Sequence, residues 1–197
     1  MKRLVIVRHG ETEWSATGRH TGRTDIALTP AGEAAARGLG RSLVELGVAP
    51  TMCLSSPRAR AVDTARLAGL GDDLVTDDRL AELDYGEYEG LTTAEIRADR
   101  PTWDLFRDGC PGGETIEAAG RRADDLLVSL APEKGIGDVA LVGHGHFSRI
   151  LAVRYLELQA AQARHFALGT ASLSLLGHEH EWRCMLVWND EVHAPPG

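Results

Sequence analysis

Apolar residues fall in short runs separated by polar, glycine-containing turns. Leu4-Val5-Ile6-Val7 is the first, unbroken and mostly β-branched, which predicts a strand buried on both faces. Thr51-Met52-Cys53-Leu54-Ser55 predicts a second strand, and Leu74-Val75-Thr76 a short extended segment. Asp138-Val139-Ala140-Leu141-Val142 predicts a third buried strand. Between these runs the spacing turns helical. Thr29 ahead of Pro30 and Glu33 marks a helix start, and that helix runs to about Leu46 and stops at Gly47. Ser55-Ser56-Pro57 is expected to cap a helix from about Arg58 to Leu70. Glu114 to Leu130 reads as a long amphipathic helix, and another spans about Phe147 to Leu156. Two strand-like runs, Ala171 to Leu176 and Trp182 to Trp188, suggest a closing hairpin before a frayed tail ending Ala194-Pro195-Pro196-Gly197. Strands alternating with helices predict the α/β class, a three-layer α/β/α sandwich around a mainly parallel sheet. No repeat or linker divides the chain, so residues 1–197 read as one domain with a small cap-like excursion at about 83–113.

Chemistry gathers where the runs end. The first passes into Arg8-His9-Gly10 and the third into Gly143-His144-Gly145-His146. Parallel strands would deliver both imidazoles to one edge of the sheet, where open α/β sheets place their sites. Gly10 is expected to let the backbone turn and a ligand approach. The second run delivers Arg60 on the helix that follows it, and the polar segment from Glu11 to Leu28 reads as a ligand loop.

The bulk properties narrow the partners. A formal net charge of −8 disfavours nucleic acid and anionic membranes. Lysine occurs only at Lys2 and Lys134, so an anion site here must be built from arginine. Cys53, Cys110 and Cys184 are odd in number and widely spaced, which argues against a disulfide framework or a zinc knuckle and fits a cytoplasmic protein. No apolar stretch is long enough for a signal h-region or a membrane span.

Three chemistries compete for the strand ends. His144-x-His146 and His178-x-His180 have a spacing that could hold a metal. Guanidiniums at Arg8 and Arg60 would repel a divalent cation, so no metal or other cofactor is expected. The histidines could merely satisfy backbone groups, but two His-Gly pairs at matched strand ends are then unexplained. Phosphoryl transfer uses every group. The arginines and a second imidazole would neutralise the phosphate oxygens, and His9 would attack phosphorus. Glu82 would protonate the leaving oxygen and then deprotonate water, with Asp84, Glu87 and Glu89 crowded beside it to help it hold that proton.

The sequence resembles the histidine phosphatase superfamily, the phosphoglycerate-mutase-like proteins. The resemblance rests on five motifs in order: Arg8 to Thr12, Gly22 to Gly32, Ser55 to Ala65, Glu82 to Leu91 with Gly113-Glu114-Thr115, and Val142 to Gly145. It implies His9 as the phosphorylated nucleophile, Glu82 as proton donor, and Arg8, Arg60 and His144 as the phosphate pocket. It places Thr12, Ser15, Thr21, Gly22, Tyr85, Gly145 and His146 near the ester. Ser15 stands where mutases of the superfamily commonly show asparagine. Glu13-Trp14-Ser15, Gly109-Cys110-Pro111 and His144 to Arg149 look most like its bacterial acid phosphatases and its sedoheptulose-1,7-bisphosphatase branch. The implied activity is a metal-independent phosphomonoester hydrolase acting on a small phosphate ester, with phosphoglycerate mutase or a sugar-bisphosphate phosphatase as alternatives. The resemblance also allows a homodimer. Arg19, Arg23, Arg97 and Arg107 are the arginines considered for a second acidic group on the substrate.

Overall fold

Strand β1 (Leu4–Arg8) runs through the interior of a six-stranded sheet of order β3-β2-β4-β1-β5-β6. The computed structural model describes residues 2–130 and 137–191, so the expected tail at 194–197 lies outside it. After β1 come α1 (Glu13–Ala16) and α2 (Pro30–Glu45), then β2 (Pro50–Ser55), α3 (Ala59–Leu67) and β3 (Leu74–Thr76). The excursion holds α4 (Thr93–Asp99) and α5 (Leu105–Asp108) and leads into α6 (Ile116–Leu130). The chain re-enters the sheet as β4 (Asp138–Gly143), leaves it through α7 (Gly145–Tyr155) and ends in the hairpin β5 (Leu173–Glu179) and β6 (Trp182–Asp190). β1, β2, β3 and β4 pair in parallel, while β5 joins β1 antiparallel. The mainly parallel α/β sandwich is as expected.

The two-residue period of a strand explains the layers. Leu4 and Ile6 of β1, with Val139 and Leu141 of β4, pack on one face against α6, α7 and the excursion's Trp103, Leu105 and Phe106. Val5 and Val7, with Ala140 and Val142, pack on the other face against Leu39 and Leu43 of α2 and Ala61 and Ala65 of α3. β1 and β4 are thus covered on both sides, which is why they read as unbroken apolar runs. The excursion is welded to the core rather than perched on it.

Three boundaries move for visible reasons. α3 stops at Leu67, short of Leu70, because Gly69 takes a φ of 75°. α6 begins at Ile116 because Glu114 N–H is tied to Asp84 O, and Thr115 Oγ1 accepts from Ala118 N. β5 begins at Leu173 because Ala171, with a φ of 48°, turns the chain and donates its N–H to His9 O.

Candidate active site

Register brings the two His-Gly pairs together. Arg8 of β1 stands opposite Gly143 of β4, and His9 N donates to Gly143 O at 3.0 Å. His9 and His144 therefore emerge side by side, their rings edge to face with centroids 5.2 Å apart. His144 takes the extended N-cap position, so α7 starts at Gly145 rather than at Phe147.

His9 is buried, and its Nδ1 lies 2.7 Å from Gly10 O. A carbonyl only accepts, so the N–H is on Nδ1 and Nε2 carries the lone pair. Burial, then the positive charges of Arg8 and Arg60, hold the imidazole well below its ordinary pKa. The ring is a neutral base with its free nitrogen on Nε2. His144 is also held well below its ordinary pKa, by burial, His9 and the arginines. Its Nε2 is 2.7 Å from Ser56 Oγ at the end of β2, and its buried Nδ1 has no protein partner.

The cations are built in from different elements. Arg60, in the first turn of α3, is fully buried. Its fork donates to Thr24 O at 2.9 Å and Thr21 O at 3.0 Å, tying the polar loop to the sheet. Arg8 donates through Nη1 to Leu168 O and packs on Gly145, where a Cβ would come within 3.2 Å of its Cζ. The Nε atoms of Arg8, Arg58 and Arg60 are buried without a protein partner. Such donors suit an oxyanion with several acceptor oxygens.

Glu82 is placed by two helices. Its Oε1 accepts from Leu83 N at 3.0 Å and Phe147 N at 2.8 Å, and its Oε2 accepts from His146 N at 2.9 Å. The carboxyl thus sits on the N-terminus of α7, complementing the helix dipole. Arg122 of α6 donates to Arg79 O and Ala81 O, pinning the turn that carries Glu82. The expected crowd of acids is absent from that list of partners. Asp84 pairs with Arg23 at 2.6 Å, and the Glu89 carboxylate accepts from Gly22 N and Thr24 N.

A cavity of about 260 Å³ opens over His9. Arg8, His9, Glu82, Ser15, Thr21, Tyr85, Gly145 and His146 line it as the sequence suggested. Thr12, Gly22, Arg60 and His144 do not; Arg60 and His144 are fully buried behind it. Thr12 caps α1 through reciprocal bonds with Ser15, and Gly22 is a packing position where a Cβ would lie 2.3 Å from Leu83 O. Gly10 is likewise a packing position rather than a ligand approach, since its Cβ would lie 2.4 Å from Gly32 O in α2. The helix expected to be capped by Ser55-Ser56 is capped by the Asp25 carboxylate, which accepts from Ala59 N at 3.0 Å. His178 and His180 are exposed on the hairpin, away from the cavity lining. Among the described residues, no three His, Cys, Asp or Glu side chains are grouped to hold one metal ion.

Gly18, Arg19 and His20 of the expected ligand loop also line it, and Thr93, Leu168 and Arg149, which sequence reasoning missed, complete it. The His20 ring lies 4.8 Å from that of Tyr85, and burial takes its pKa down to about 4. Tyr85 hydroxyl and His146 Nδ1 share a hydrogen bond at 2.6 Å. Burial raises the Tyr85 pKa and lowers that of His146, so both stay neutral. Arg149 carried a signal that could have found it: four residues beyond Gly145, it lies on the same face of α7.

The family model that matches the chain covers residues 4–191. The chain belongs to the histidine phosphatase superfamily, branch 1. An acid phosphatase of Mycobacterium tuberculosis is 43% identical over 194 residues, with 98% of this chain and 95% of that protein covered. Sedoheptulose 1,7-bisphosphatase of Saccharomyces cerevisiae is 36% identical over 185 residues, with 79% of this chain and 68% of that protein covered. A solved structure of an open reading frame from M. tuberculosis superposes with a TM-score of 0.91 at 43% identity, covering 96% of this chain and 97% of that one. This histidine phosphatase is therefore an enzyme of the phosphatase class, with the fold of its relatives. Among its described residues no helix is long and apolar enough to cross a membrane.

Proposed function

We propose that this histidine phosphatase hydrolyses small phosphate monoesters, without a metal, through a phosphohistidine on His9. The observation that carries this reading is the bond from His9 Nδ1 to Gly10 O, which commits the N–H and leaves Nε2 as the nucleophile.

The phosphate enters against Arg8, Arg60 and His144, whose unpartnered donors suit its oxygens. His9 Nε2 forms a bond to phosphorus as the ester P–O bond breaks, and Glu82 delivers a proton to the leaving oxygen. Water then attacks the phosphohistidine, Glu82 takes its proton, and the P–N bond breaks to release phosphate. Arginine charge stands where a metal ion would otherwise stabilise the transition state. A cavity of about 260 Å³ suits a small metabolite as substrate.

Phosphate release is to be measured with chelator present, for the wild type and His9→Ala, on p-nitrophenyl phosphate, sugar phosphates and 3-phosphoglycerate. The reading predicts chelator-resistant release that vanishes in the variant. Release retained by the variant and abolished by chelator contradicts it. Conversion of 3-phosphoglycerate to 2-phosphoglycerate without phosphate release points to a mutase instead.

A further inference from the structure

His9 and His144 stand side by side, both neutral, yet they must do opposite things to one phosphate. The nucleophile has to offer a lone pair, and its neighbour a proton donor. A neutral imidazole has one nitrogen of each kind, so the tautomer decides which end does which. For His9 the Gly10 carbonyl decides it. For His144 the deciding group is a hydroxyl, that of Ser56.

Ser56 is placed by the chain around it. It follows the last residue of β2, and its N–H donates to Val142 O of β4 at 2.9 Å. Pro57 comes next and restricts Ser56 to extended backbone. Capping of α3 falls to Asp25, so the Ser56 hydroxyl is free for another partner. The side chain is fully buried, and its Oγ lies 2.7 Å from His144 Nε2. Strand order sets β4 between β2 and β1, so Ser56 holds the His144 ring from the β2 side while His9 faces it from the β1 side.

A hydroxyl has one proton to give. Ser56 Oγ also meets Arg58 N at 3.4 Å, but that amide only donates. The acceptor that the Ser56 O–H meets among the described residues is therefore His144 Nε2. Burial, then His9, Arg60 and Arg8, keep the His144 ring neutral, so it holds a single N–H. With Nε2 accepting, that N–H is on Nδ1. Nδ1 is buried and has no partner among the described residues. A buried donor of this kind is costly until a ligand oxygen satisfies it. The opposite tautomer would turn a second lone pair toward the phosphate oxygens and leave the Ser56 proton without an acceptor.

We propose that Ser56 is a positioning residue: its hydroxyl donates to His144 Nε2 and commits His144 to the Nδ1–H tautomer, which donates to a non-bridging oxygen of the phosphoryl group. This rests on the phosphatase reading above and names what makes the second imidazole a donor. The oxygen it serves stays on phosphorus, so the effect is the same for free phosphate and for every ester, whatever the leaving group.

NMR of the ring nitrogens in isotope-labelled, unliganded wild type tests this first, with His144 assigned by its absence from His144→Gln. The expected spectrum at neutral pH has the proton on Nδ1 and a hydrogen-bonded lone pair on Nε2. A proton on Nε2, or a cationic ring, overturns the proposal without any variant of Ser56. Ser56→Ala is then compared with Ser56→Thr, which keeps the hydroxyl, and urea midpoints confirm that each is folded. Ser56→Ala should weaken inorganic phosphate binding by about tenfold, the worth of one hydrogen bond. It should lower kcat/KM by a similar factor on p-nitrophenyl phosphate and on glycerol 3-phosphate. Ser56→Thr should keep the Nδ1–H tautomer and most of the affinity. Unchanged phosphate binding in a folded Ser56→Ala overturns the proposal. A loss confined to glycerol 3-phosphate, which has the poorer leaving group, also overturns it, because that effect runs through Glu82. Tautomer and phosphate affinity are read without turnover, so their failure is distinct from failure of the phosphatase reading, which His9→Ala decides.

Discussion

The imidazole rings of His9 and His144 meet edge to face at 5.2 Å and 66°, each buried and each held neutral. Two parallel strands in register produce this contact, and the same burial makes the site sensitive to acid. A histidine whose folded pKa lies below its unfolded value binds fewer protons folded than unfolded. Its neutral form is favoured by the fold, and stability is lost as pH falls below about 6.5. His9, His20, His144 and His146 all shift in this direction.

The unliganded protein should therefore lose stability steadily below about pH 6.5. Each of the four contributes up to about 1.4 kcal/mol per pH unit, and His20 alone on the order of 3 kcal/mol by pH 4. Urea unfolding between pH 7 and pH 5 measures this, and a constant midpoint argues against neutral burial. Added inorganic phosphate should offset part of the loss, because an oxyanion favours the cationic imidazole.

Activity should persist into acid. With His9 depressed, the acid limb of kcat/KM lies below the ordinary imidazole value of about 6.5. An acid limb at or above about 6.5 contradicts a buried, neutral His9 as the nucleophile.

Gly145→Ala should separate activity from stability. Its Cβ would meet Arg8 Cζ at 3.2 Å, so the guanidinium must shift. We expect a loss of about tenfold to a hundredfold in kcat/KM, with a change in unfolding free energy within about 1 kcal/mol. A variant with full activity shows that the Arg8 guanidinium gives way to the methyl group without losing its place, and contradicts this prediction.

Gly10→Ala should do the reverse in kind. Its Cβ would meet the Gly32 carbonyl at 2.4 Å, backbone against backbone. Overpacking of this sort costs about 1–3 kcal/mol, which lowers the melting temperature by several degrees. An unchanged melting temperature shows that β1 and α2 are not locked together here.

Much of the fold was legible because β1 and β4 are buried on both faces and so write unbroken apolar runs. Their polar ends, Arg8-His9 and His144, were legible for the same reason: a charged or imidazole residue ending such a run must be placed by function or pairing. Roles set across the fold were not legible. Asp25 caps α3 from a distant loop, and Arg122 pins the Glu82 turn from α6. Gly10 and Gly22 looked like ligand approaches, yet each is required by a neighbouring carbonyl that only the tertiary structure brings near. Arg149 looked like any arginine on a helix until Phe106 and Ala163 fixed it on the cavity wall.

The central claim is a covalent phosphoryl group on His9 Nε2. Rapid mixing with p-nitrophenyl phosphate, quenching into base and peptide mass spectrometry test it directly. The account predicts the mass of one phosphoryl group on the peptide carrying His9, absent in His9→Ala and cleared by longer incubation. A burst of product with unmodified His9, or a label on another residue, would contradict it.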